Sequence, residues 1–179
     1  MTPLFAYAVP AALAWLLLGT ILNVLPVADA AWIALILYSL FYGIAEVADV
    51  PELGVPGSRW QVPQTFVIKK RSGRILAIWG GLLGPGFATR NPYAGFTALV
   101  LGIATFGSVT IGACVAVGVG IAHGASRALA LLRDARTVEH QDYLQSVLRS
   151  MYWRRFDGVV LLVLAGLGVV AYAAHVWSI

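Results

Sequence analysis

Long uninterrupted apolar runs constrain the fold of this sequence more than any other feature. The first run covers residues 4–25 and the longest covers residues 94–122. About 20 consecutive apolar residues are what an α-helix needs to cross the hydrocarbon core of a bilayer. With 60% hydrophobic and 11% charged residues, the chain also has too little polar surface to cover a water-soluble globule. The sequence therefore predicts an all-α, polytopic integral membrane protein that is surrounded by lipid.

The apolar runs predict a single transmembrane domain of about five helices. We place the spans at residues 4–25, 30–45, 75–93, 94–122 and 159–176, with polar segments at 46–74 and 125–157. Within the second polar segment, apolar residues follow the i, i+3, i+4 spacing of a helix from Leu144 to Tyr152. This pattern predicts an amphipathic helix on the cytoplasmic surface of the membrane, before the last span.

The positions of the cations favour one topology over another. Residues 75–88 would rise only about 21 Å as a helix, so this segment either crosses or re-enters the membrane. If it crosses, residues 46–74 and 123–157 lie on one side and hold 11 of the 12 Lys and Arg residues. Cytoplasmic loops carry such an excess of cations. We therefore expect a crossing in a bacterial cytoplasmic membrane, with the N-terminus in the cytoplasm and the C-terminus outside.

A break in the third span indicates a candidate substrate-binding recess near the outer surface. Gly84-Pro85-Gly86 interrupts the apolar run, and irregular backbone at membrane depth must be covered by protein or face water. Arg90, Asn91 and Asp29 are the candidate binding residues there, because Arg90 is the only cation assigned to the outside and suits an anionic group. The alternative is an arginine that extends from a turn to the interface.

Small residues recur every four positions along the fourth span. The stripe includes Ser108, Gly112, Ala116, Gly120 and Gly124. Such spacing lets helix backbones approach closely in lipid. We expect this stripe to pack against another helix of the chain, a second copy of it or another membrane protein subunit.

Candidate catalytic residues gather at the predicted cytoplasmic face. Glu46 and Asp49 end the second span, His123 ends the fourth and Asp157 begins the fifth. If the second helix continues past Glu46, then Glu46 and Asp49 share one face, and a carboxyl pair at a low-dielectric boundary can transfer a proton or hold a cation. The alternative is that these acids simply end a helix and pair with one of the arginines at 154 and 155.

Other classes of chemistry find little support in the sequence. The histidines lack the close spacing of a metal site, so no metal is expected. Motifs for nucleotide phosphates or dinucleotide cofactors are absent, so no cofactor is expected. The net charge of +4 fits loops beside anionic lipid and not a nucleic-acid surface.

Three hypotheses for the function remain open. The leading one is a small membrane subunit of a larger transport or export assembly, since five spans without an internal repeat form a poor self-sufficient transporter. The second is a membrane enzyme acting on a lipid or quinone-like substrate at the cytoplasmic interface, with Glu46 or Asp49 as acid or base. The third is a purely structural subunit of an assembly.

Overall fold

The computed structural model describes residues 3–50, 77–78, 80–81, 94–134 and 143–177, and their regular structure is helical throughout. The helices are α1 (Pro3–Val24), α2 (Ala28–Val47), α3 (Gly95–Ala104), α4 (Val109–Asp134) and α5 (Tyr143–Trp177). Four of them contain spans long and apolar enough to cross a membrane: Leu4–Val24, Ala28–Val47, Val109–Leu129 and Met151–Trp177. The predicted all-α membrane class is confirmed. Most of the predicted span at 75–93 lies outside the described residues.

The described helices form two compact units. In the first unit, α1 packs along α4, and residues near the end of α1 contact residues near the start of α4. Gly112 meets Asn23, Gly120 meets Ala12, and Gly124 meets Ala8. The two helices are therefore antiparallel. A Cβ atom at Gly120 would lie 2.7 Å from the Cα of Ala12, so the close approach of the backbones depends on the missing side chain.

The continuous span predicted for residues 94–122 is two helices in the structure. The first part, α3, ends at Ala104, and α4 begins only at Val109. Between them Gly107 has a φ of 61°, a left-handed conformation that costs glycine little. Ser108 then caps α4, because its Oγ accepts a hydrogen bond of 3.5 Å from the amide of Ile111. Hydropathy did not indicate this break because residues 105–108 contain no charged side chain.

A second difference concerns the amphipathic segment of the chain. No break separates this segment from the last span, and both belong to α5, which has 35 residues. A helix of that length rises roughly 52 Å, well beyond the thickness of the hydrocarbon core. The amphipathic residues are therefore the first turns of the last membrane helix, where the chain emerges from lipid.

The second unit contains α2, α3 and α5. Along α2 and α5, Gly43 meets Leu162, Ile36 meets Gly168, and the rings of Trp32 and Tyr172 lie 6.5 Å apart. This order makes the two helices antiparallel. The short helix α3 packs on both of them, and a core of Leu35, Ala94, Ala98 and Leu161 joins the three. The packing brings the first residue of α3 beside the last turn of α2.

Candidate functional site

The end of α2 places one acidic side chain inside the second unit. Glu46 lies in the last turn and is only 2% exposed. The helix stops because Asp49 adopts a φ of 54°, while its amide donates to the carbonyl of Glu46 and the amide of Val50 donates to the carbonyl of Ala45. These two hydrogen bonds, from the residues just past the helix back to its last turn, form a Schellman motif. The condition for a shared face, that α2 continues as far as Asp49, is therefore not met, and Glu46 and Asp49 do not share a helical face.

The first amides of α3 are bound by carboxylates from two other helices. The amide of Ala94 donates to Oε1 of Glu46 at 3.1 Å, and the amide of Gly95 donates to Oδ2 of Asp157 at 2.8 Å. Helix N-terminal amides have no partner within their own helix and are usually capped by a nearby polar side chain. The methyl group of Ala94 cannot serve as a cap, so the carboxylates of Glu46 and Asp157 cap the helix instead. Their negative charges also interact favourably with the helix dipole.

The two carboxyl groups also lie side by side, because they bind the amides of two consecutive residues, Ala94 and Gly95. The second oxygen of Glu46, Oε2, is buried and has no hydrogen-bond partner among the described residues. A carboxylate only accepts hydrogen bonds, so an ionised Asp157 beside an ionised Glu46 supplies no donor for Oε2. An arrangement of this kind attracts a positive group to the space between Glu46 and Asp157.

Two tyrosines, Tyr38 and Tyr42, lie on α2 about two turns and one turn before Glu46. The hydroxyl of Tyr38 donates to the carbonyl of Ala94 at 3.0 Å, which fixes the first residue of α3 from its other side. The ring of Tyr42 lies 4.5 Å from that of Tyr38, measured between centroids. The first turn of α3 is thus held by groups from both neighbouring helices of the unit.

Two glycines allow the acidic groups to approach so closely. A Cβ atom at Gly158 would lie 2.9 Å from the amide nitrogen of Val47 and 3.0 Å from the Cβ of Glu46. A Cβ atom at Gly95 would collide with the carboxylate of Asp157. Larger residues at either position would force the helices apart and open the site to its surroundings.

The arginines of α5 pair with Asp49 and not directly with the buried acids. Nitrogen atoms of Arg154 and Arg155 each lie 3.9 Å from a carboxylate oxygen of Asp49. For Asp49 this arrangement matches the alternative in which the acid ends a helix and pairs with arginine. Glu46 and Asp157 differ from Asp49 because backbone amides of α3 bind them.

The remaining candidate residues lie elsewhere in the structure. His123 is half-buried in α4 of the first unit, and its carbonyl accepts a hydrogen bond of 2.8 Å from the hydroxyl of Ser126. Asp29 is exposed at the start of α2, where its carboxylate lies 3.5 Å from Nε2 of His175. Arg90 and Asn91 lie outside the described residues, so the predicted outer recess stays a prediction.

Three residues of the site were not predicted from the sequence: Tyr38, Gly95 and Gly158. Only Gly158 carried a local signal, since it follows an acid directly at the start of an apolar run. No protein-family model, curated protein or solved structure matches this chain. Among the described residues, no three His, Cys, Asp or Glu side chains gather as a metal site.

Proposed function

We propose that this protein is a small membrane subunit of a transport or export assembly in a bacterial cytoplasmic membrane. The observation that carries the proposal is the interrupted apolar segment. In it α3 ends before α4 begins, and the first amides of α3 meet the buried carboxyl group of Glu46 and the partly buried carboxyl group of Asp157. Discontinuous membrane helices with polar groups at their ends are a recurrent feature of transporters.

The length of α3 supports this interpretation. Ten residues rise about 15 Å, half of the hydrocarbon thickness. A helix this short cannot reach both surfaces of the membrane, so the backbone groups of at least one end lie where lipid cannot satisfy them and must meet protein or water. At the N-terminus of α3 they meet two ionisable side chains. Ionisable residues inside a membrane are costly, and they commonly mark ion or proton pathways.

The exposed face of α4 supports a role as a subunit. The small residues Cys114, Gly118 and Ala122 are exposed and spaced four apart, and a Cβ atom at Gly118 would meet nothing within 4 Å. This face is separate from the face of α4 that packs on α1. Small residues at this spacing suit close contact with a helix of another chain.

Isolation from native membranes tests the assembly. The wild-type chain, solubilised in a mild detergent and weighed by native mass spectrometry, should carry partner chains in fixed ratio. The substitution Gly118→Leu should release them, because a leucine would separate the helices at a close contact. The matched control is Gly166→Leu on α5, where the added side chain also meets open space, and this variant should retain the partners.

Two results would contradict the proposal. One is a homogeneous single chain that carries only bound lipid, which would favour the membrane enzyme. The other is an assembly that forms but moves no solute when it is reconstituted in vesicles, which would favour the purely structural subunit.

A further inference from the structure

We propose that the carboxyl groups of Glu46 and Asp157 form a proton-binding site that exchanges its proton with water. The inference deepens the proposed function and rests on it for the use that the assembly makes of the proton. When the site is occupied, one carboxylic acid donates its O–H to the opposite carboxylate. When the proton leaves, it passes to water, and both groups remain as carboxylates.

The geometry of Glu46 carries the inference. This side chain is 2% exposed, and one of its oxygens is satisfied by the amide of Ala94. The other oxygen, Oε2, is buried without a hydrogen-bond partner among the described residues, and the carboxylate of Asp157 binds the next amide along the chain, that of Gly95. Leaving a buried acceptor without a donor is unfavourable. A proton between the two groups removes that cost and the repulsion of like charges together.

A proton fits this site better than a metal ion does. Oε1 of Glu46 and Oδ2 of Asp157 are already occupied by backbone amides, so few oxygens remain, whereas hard cations take about six ligands. The amides of α3 also point their positive ends at the site. This disfavours a divalent metal ion, which adds two positive charges, more than a proton, which adds one. A proton needs only the two facing oxygens.

The charged and titratable groups around the pair affect both the binding and the release of the proton. On α2 these are Tyr38 and Tyr42, and on α5 the neighbour of Glu46 is Arg154. Asp49 lies just after α2 and pairs with Arg154. The sequence of α3 contains no titratable side chain. Because Arg154 lies 3.9 Å from Asp49, which is half-buried, its charge is shared between that acid and the pair of Glu46 and Asp157. The cation therefore favours release of the proton without neutralising both carboxylates.

Proton release acts directly on α3. Two negative charges would then face each other above the first turn of this helix and repel. Since Glu46 and Asp157 come from different helices and each binds one amide of α3, their separation would pull on both bonds. Occupancy of the site is thereby linked to the position of α3 in its unit.

Infrared difference spectroscopy of the chain in lipid nanodiscs tests the site. A titration in pH should show the carbonyl stretch of a protonated carboxylic acid that disappears in one step as the pH rises. Glu46→Gln should remove this signal, and so should Asp157→Asn, since each variant supplies its own amide donor. The matched control, Asp29→Asn, removes an exposed acid and should leave the signal unchanged.

A second measurement on the wild-type chain guards against variants that fail to fold. Labelling glutamate or aspartate carboxyl carbons with ¹³C should shift the signal in at least one of the two samples. The inference is overturned if the wild-type chain shows no such signal at any pH, if the Glu46→Gln and Asp157→Asn variants keep it, or if sodium ions displace it at constant pH. The spectrum is taken on the chain alone, so its outcome is independent of whether partner chains or transport are found.

Discussion

The contact between α1 and α4 allows a matched pair of substitutions in one helix. Gly120 and Gly118 lie two residues apart in α4, but they face different surroundings. A Cβ atom at Gly120 would lie 2.7 Å from the Cα of Ala12, 2.9 Å from the Cβ of Trp15 and 3.0 Å from the carbonyl oxygen of Ala11. At Gly118 nothing lies within 4 Å. We compare Gly120→Ala with Gly118→Ala.

The magnitude follows from two terms. Replacing glycine by alanine within a helix gains up to about 1 kcal/mol of helix propensity, and this gain is the same at both positions. At Gly120 two of the three close atoms belong to the backbone of α1, so the helices must move apart, and overpacking of this kind costs roughly 1 to 3 kcal/mol. The propensity term cancels when the variants are compared. Gly120→Ala should therefore be less stable than Gly118→Ala by about 1 to 3 kcal/mol.

Reversible unfolding in mixed micelles of a mild detergent and SDS, followed by circular dichroism, measures both free energies. Gly118→Ala should equal or exceed the wild-type chain in stability, which shows that alanine is tolerated in α4. If the two variants differ by less than about 0.5 kcal/mol, the usual uncertainty of such comparisons, the backbone of α1 is not in close contact with Gly120 and the packing argument fails.

Three further predictions concern the second unit and the topology. Gly158→Ala should lower the free energy of unfolding by roughly 1 to 3 kcal/mol, since its Cβ would press on the backbone of α2; Gly166→Ala, in open space, should not, and equal losses would refute the contact. Asp49→Gly should be more stable than Asp49→Ala by about 1 kcal/mol in the same unfolding assay, because φ is 54° and an alanine is strained there; the reverse order would argue against the left-handed turn. Single cysteines in 46–74 and in 125–157, in a cysteine-free background, should both react with a reagent only from the cytoplasmic side, and labelling from opposite sides would overturn the predicted placement of both segments in the cytoplasm.

Sequence alone was sufficient for the class of the protein and for most of its spans. In lipid, a backbone must satisfy its own hydrogen bonds, so apolar runs of about 20 residues become helices whatever surrounds them. This is why α1 and α2 appear close to the predicted residues 4–25 and 30–45. The small residues of α4 are likewise a local pattern, and in the structure Gly120 and Gly124 lie against α1.

The candidate site depends on contacts that no local pattern contains. Glu46 and Asp157 lie 48 and 62 residues from the amides that they bind, and each looks like an ordinary acid at the edge of a membrane span. They differ from Asp49 because α3 packs beside them, and the first turn of α3 has no capping side chain of its own. This packing depends on the missing side chains of Gly95 and Gly158. Only the packing of the three helices decides which carboxylates those amides meet.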